Sequence, residues 1–200
     1  MNKILQIWRN KPLRNKILFT IAGLFIYRLA SVISAPGVDA TAIKAIFDQN
    51  QLLGAFAVFT GGTAENFSIL LMGLSPYINA SIIVQLMAVV IPRLETLSKE
   101  GQQGQKTLNR YTRYLTFPLA ILQSYGMILI LNNSAAQAGT TFVSDIRSAA
   151  VVLPLMMSIT VGTVFLMWLG ELITEKGISN GISMIIFTGI VAGIPSILGQ

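Results

Sequence analysis

The chain has no cysteine and no histidine. That excludes disulfides, thiolate and imidazole metal sites, cysteine nucleophiles and histidine acid–base chemistry. Charge is scarce too: 11% of the 200 residues are Asp, Glu, Lys or Arg, against 53% hydrophobic residues. So few charges cannot clothe a soluble domain, and the composition reads as a polytopic membrane protein. No acid lies at mid-membrane depth, which argues against ion-coupled transporters and proton pumps. Intramembrane proteolysis lacks an aspartate dyad, an HExxH motif or a Ser–His pair. No metal, cofactor or enzymatic activity is expected. The net charge of +6 could suggest nucleic acid, but the basic residues cluster beside apolar runs, where membrane topology accounts for them.

What the chain does have is one apolar stretch interrupted twice, Gly61 to Pro92. The apolar run before it, Gln51 to Thr60, is half of the roughly twenty residues needed to cross a hydrocarbon core of about 30 Å. It can enter a bilayer but not span it. Gly61, Gly62, Glu65 and Asn66 then free backbone groups and add polarity, so this turn must face protein or water. Pro76 biases Ser75 away from helical geometry and starts a second helix that runs to Pro92. A re-entrant half-helix followed by a mostly spanning one is the expected result.

The remaining order follows from hydropathy and basic residues. Residues 1–16 carry Lys3, Arg9, Lys11, Arg14 and Lys16 without an acid and read as an amphipathic cytoplasmic segment. Spans are expected at 17–35, 76–92, 114–131, 149–169 and 182–198, with a basic cytoplasmic loop at 93–113. This puts the N-terminus inside and the end of the fifth span outside. Arg28, inside the first span, either snorkels to the outer surface or tethers the Glu65 and Asn66 turn; an unpaired cation at such depth costs about 2.5–3.5 kcal/mol on insertion scales.

Counting about 1.5 Å per residue from the cytoplasmic ends puts Ile82 and Ile190 each about 15 Å deep, near the midplane. Ile78 and Ile186 lie one turn away on the same faces. Such a stripe is either an apolar constriction or ordinary packing surface, and periodicity leaves both open. Gly189 and Gly193 fit a GxxxG contact.

Four segments taken together resemble the SecY family, the channel subunit of the Sec protein translocon: YRLASVISAPGVD (27–39), FTGGTAENFSILLMGLSPYINASIIVQLM (59–87), KEGQQGQKTLNRYTRY (99–114) and FLMWLGELITEKGISNGISMIIFTGIVAGIPS (165–196). Departures are small: Gln105 replaces a favoured basic residue, Leu172 a Gln and Ser179 a Gly. The resemblance implies an all-α fold, the first half of a ten-span inverted-repeat channel, with five spans and a re-entrant plug at 51–66. The plug would comprise Leu52, Leu53, Gly54, Ala55, Phe56 and Thr60 together with Gly61, Gly62, Glu65 and Asn66. Ile78, Ile82, Ile186 and Ile190 would be pore-ring residues, and Gln85 and Gln123 polar residues of a lateral gate.

It further implies a passive protein-conducting channel in the bacterial cytoplasmic membrane, serving signal sequences and unfolded secretory or membrane proteins. Partners would be SecE-like and SecG-like membrane subunits and a SecA-type ATPase or ribosome, with no direct nucleic-acid contact by the membrane part. The chain is then expected to be a fragment covering about half of such a channel. A small-solute transporter with a broken helix is the competing expectation.

Overall fold

The computed structural model describes residues 10–36, 38, 67–137, 139, 143 and 148–198, of which 194–198 are described by their backbone alone. The described secondary structure is helical apart from one isolated bridge, Ser34 with Ser68. The expected plug, from Leu52 to Asn66, lies outside the described residues, as does the first part of the amphipathic segment.

The first helix, α1, spans Lys11–Ser31. Asn10 precedes it in an extended conformation and Pro12 sits in its first turn, where a missing N–H costs nothing because the first turn has no carbonyl to receive it. Lys11, Arg14 and Lys16 are therefore helical, whereas the sequence expectation began this helix at residue 17. Hydropathy marks where a chain enters lipid, and a helix can begin well before that.

A second helix, α2, spans Ser75–Val90, and a third, α3, spans Pro92–Lys99. Both open with proline in the first turn. Pro92 also holds Ile91 extended (φ −98°, ψ 113°), as a residue before proline should be, and the two helices meet at 105°. In α3, Glu95 lies in the first turn and Lys99 in the last, each favoured by the helix dipole, and they form an ion pair of 2.5 Å.

The fourth helix, α4, spans Gln102–Gln137 and follows a turn at Gly101, whose φ is +68°. The basic region expected as a loop over 93–113 is thus helical, as α3 and the first third of α4. The buried residues of α4 include Gly104, Leu108, Thr112, Thr116, Ala120, Ser124 and Ile128, each four after the last. Every such step turns about 40° beyond a full circle, so the buried stripe winds around the helix. Its first half faces α2 and α3, and its second half faces a further helix, α5, at Ala149–Lys176.

α5 is the centre of the fold and packs against α1, α4 and the last helix, α6, Gly181–Leu198. One apolar cluster joins Ile128, Leu131 and Ala135 of α4 to Val152, Leu155 and Ile159 of α5. A second joins Tyr27 and Ala30 of α1 to Leu166, Leu169 and Ile173 of α5 and Ile185 of α6. The turn between α5 and α6 is tied by side chains: Asn180 Oδ1 accepts from the N–H groups of Ile182 and Ser183 at 3.1 and 3.3 Å. Thr20 Oγ1 of α1 accepts from the N–H of Ile178 at 3.3 Å.

By length and composition, α4 and α5 can each cross a membrane, and the bent pair α2–α3 could count as a third crossing. Large apolar residues such as Ile21, Phe25 and Leu29 of α1 are exposed, a distribution suited to lipid rather than water.

Candidate functional site

The non-helical stretch 67–74 is where the interrupted sequence does its structural work. Phe67, Ser68, Leu70, Leu71 and Leu74 are all buried there, so the stretch is a wedge in the interior. Its backbone polar groups are satisfied partly by the segment that follows α1 and partly by turns within the wedge, such as Leu71 N–H to the carbonyl of Ser68 and Gly73 N–H to that of Leu70. The N–H of Ala35 donates to the carbonyl of Phe67 at 2.8 Å, and the N–H of Ile69 to the carbonyl of Ile33 at 3.0 Å. Ser68 Oγ donates to the carbonyl of Ala30 at 3.3 Å and accepts from the N–H of Leu70 at 3.1 Å. Irregular backbone survives at membrane depth only when satisfied in this way. The wedge contributes Phe67 and Leu71 to one apolar cluster and Leu70 and Leu74 to the other.

Beside the wedge lies a cavity of about 380 Å³ walled by all of the helices except α3. Ile78 from α2 and Ile186 from α6 both line it, with Tyr27, Asn79, Met127 and Gly189 among their neighbours. The glycine has a reason: a methyl group at position 189 would sit 3.0 Å from the Tyr27 hydroxyl. Among the described residues α2 and α6 do not pack on each other. The two isoleucines therefore share a space rather than a helix contact.

Ile82 and Ile190 are not among the residues lining that cavity, although each lies one turn from one that is. Residue counting puts Ile82 and Ile190 at equal depth, and the cavity is lined by the isoleucine one turn before each, Ile78 and Ile186. All four side chains are exposed, so nothing described packs over this face. Gln85 lies on the same helix, its amide 3.5 Å from Ser81 Oγ, and lines a larger cavity of about 680 Å³ bounded by α2, α3, α4 and the start of α6. Gln123 is half-buried on α4, and no hydrogen bond joins it to Gln85 among the described residues.

Two features escaped the sequence. One is Tyr27, a buried tyrosine of α1 with no periodic signal to distinguish it. The other is an ion pair between α4 and α5, in which Arg113 Nε donates to Glu171 Oε1 at 2.6 Å. It adjoins a polar cavity of about 550 Å³ that Tyr77 and Asn180 also line. Its partners lie 58 residues apart in sequence, beyond the reach of any local pattern.

A family model described as SecY matches residues 68–200. Among similar proteins, the chain is 46% identical to the protein translocase subunit SecY of Bacillus licheniformis, covering 96% of this chain and 44% of that protein. It is 43% identical to the subunit of the same name from Corynebacterium glutamicum, over 98% of this chain and 46% of that one. Against the Vibrio cholerae subunit the identity is 43%, over 94% and 42% respectively. The chain spans about half the length of the relatives it matches.

Proposed function

Because the chain belongs to the SecY family, we propose that it supplies the first half of a channel that conducts unfolded proteins across, and into, a bacterial cytoplasmic membrane. The observation that carries this reading is the cavity shared by Ile78 and Ile186, on helices that do not pack on each other among the described residues. Apolar side chains facing a gap can dewet when the gap is empty and yield around any sequence that enters it. Nothing in that role needs a catalytic group.

In this reading Ile78, Ile82, Ile186 and Ile190 form half of a pore ring, and the second half of the channel completes it against their exposed face. Residues 51–66 form a plug, the wedge 67–74 anchors that plug to α1 and α5, and α2 with α4 forms one wall of a lateral gate bearing Gln85 and Gln123. Five crossings result, with the N-terminus cytoplasmic, and α3 with the first turns of α4 then stands in the cytoplasm. SecE-like and SecG-like subunits would flank the bundle, and a SecA-type ATPase or a ribosome would deliver signal-bearing chains. The absence of mid-membrane acids favours this passive role over ion-coupled transport.

The test is site-specific crosslinking of a stalled secretory chain in the full-length protein, with probes at Ile82 and Ile190. Adducts at both, and none at a lipid-facing control such as Phe25, are expected. Adducts at Gln123 with none at either isoleucine would remove the pore-ring assignment and leave the chain held at the gate.

A further inference from the structure

Resting on the channel reading above, we propose that the Arg113–Glu171 ion pair is a latch that sets the position of the gate wall, with both residues acting as positioning residues. The packing divides the fold unequally. Among the described residues, α2, α3 and α4 pack closely on one another, α2 touches α5 only lightly, and α2 does not pack on α6. The first three form one body, joined to the rest through α4 and, at the start of α2, through the wedge 67–74.

Two of the contacts that hold α4 to α5 lie far apart along it. One is the apolar cluster of Ile128, Leu131 and Ala135 against Val152, Leu155 and Ile159. The other is the contact from Arg113 Nε to Glu171 Oε1, 2.6 Å long. Arg113 precedes Ile128 by fifteen residues, which is about 22 Å of helix. The cluster is a pivot and the ion pair sits at the far end of the lever.

Between them α4 carries Pro118. Proline has no N–H to give the carbonyl of Tyr114, four residues back, and its ring crowds that carbonyl, so a helix bends most readily at such a point. Space to move lies on the same side: the cavities of about 550 and 680 Å³ separate this end of the body from the start of α6. The Lys99–Glu95 salt bridge is internal to α3 and ties that helix to nothing else.

The electrostatics suit a contact that must open. Glu171 is mostly covered while Arg113 is half exposed, with side-chain exposures of 17% and 48%. A pair at that depth is worth enough to bias two arrangements but not to freeze one. Glu175, one turn further along α5, adds a second carboxylate beside Glu171, and Tyr77 of α2 faces the same cavity.

The experiment uses the full-length protein in vesicles, with spin labels on cysteines introduced at Glu100 and Lys176, both exposed, and distances read by pulsed electron resonance. R113Q and E171Q should each add a longer-distance population and raise the ratio of open to latched molecules roughly fivefold. The charge swap R113E/E171R should restore the original distribution. Unchanged distances in both single variants would overturn the latch, and so would a swap that keeps its melting temperature yet stays shifted.

Translocation assayed on the same samples separates the two readings. Altered distances with normal transport leave the latch standing and remove its link to a gate. Altered transport with unaltered distances removes the latch and leaves the channel.

Discussion

The backbone carbonyl of Ile69 lies against the α-carbon of Gly162, so close that a side chain at position 162 would occupy the same space. Residue 162 is in the middle of α5, the most buried helix, and Ile69 is in the wedge that interrupts the second apolar stretch. The absent side chain is what lets non-helical backbone seat against the central helix.

Gly162→Ala should therefore cost more than the helix propensity of alanine returns. Either the wedge retreats or α5 shifts, and overpacking of this kind typically costs about 1–3 kcal/mol. Thermal unfolding in detergent should show the loss. An unchanged melting temperature would mean that the wedge is not seated on α5 in the membrane.

Tyr27 and Gly189 make the second tight approach, at the level of the shared cavity. A methyl group at 189 would stand 3.0 Å from the Tyr27 hydroxyl, and an aromatic ring fixed among buried neighbours has little room to give. Gly189→Ala should push α6 away from α1 and displace Ile186 and Ile190 with it, raising ion conductance of the full-length protein in a planar bilayer. Tyr27→Phe removes the oxygen in question. The double variant should thus recover most of what Gly189→Ala loses, with a coupling energy of about 0.5–3 kcal/mol. Additive losses would show that the two residues do not press on each other.

Thr163 is the buried hydroxyl whose Oγ1 has no hydrogen-bond partner among the described residues. Thr160, one turn earlier, donates to the carbonyl of Met156 at 2.8 Å. Thr163→Val keeps the shape and removes a polar atom that gains nothing, so unfolding should show no loss and a gain of up to about 1–3 kcal/mol. A loss of stability would show that the hydroxyl is bonded when the protein is in lipid.

How much of this was legible beforehand depends on the range of the signal. Pro76 and Pro92 bracket α2 almost to the residue because proline acts on its immediate neighbours. Asn10 and Pro12 carry the same information for α1, yet a boundary drawn by hydropathy passed over them in favour of residue 17. The charge of the stretch 93–113 predicts a loop, but polarity reports only contact with water, and the Glu95–Lys99 pair at four-residue spacing supports a helix. The pairing of Ala35 with Phe67 and of Arg113 with Glu171 had no local trace. Both bring together residues that only the packed helices make neighbours. Ile78 and Ile186 stand out in the sequence as members of two stripes, but that both line one cavity is a fact of packing that neither stripe carries.

Pro118 offers the last test, one that separates a bent lever from a rigid one. Pro118→Ala restores an N–H able to reach the carbonyl of Tyr114 and removes the ring that crowds it. Interior proline disfavours a helix by about 3 kcal/mol relative to alanine, though in lipid neighbouring groups offset part of this. The substituted α4 should be stiffer, and an ion pair on a stiff rod shares its load with the apolar cluster about 22 Å away. The variant should accordingly narrow the distance distribution between labels at Glu100 and Lys176 and blunt the effect of E171Q. A distribution as broad as before would mean that α4 already moves as one piece about its contact with α5, with Pro118 serving only the apolar groove it lines with Tyr111 and Tyr114.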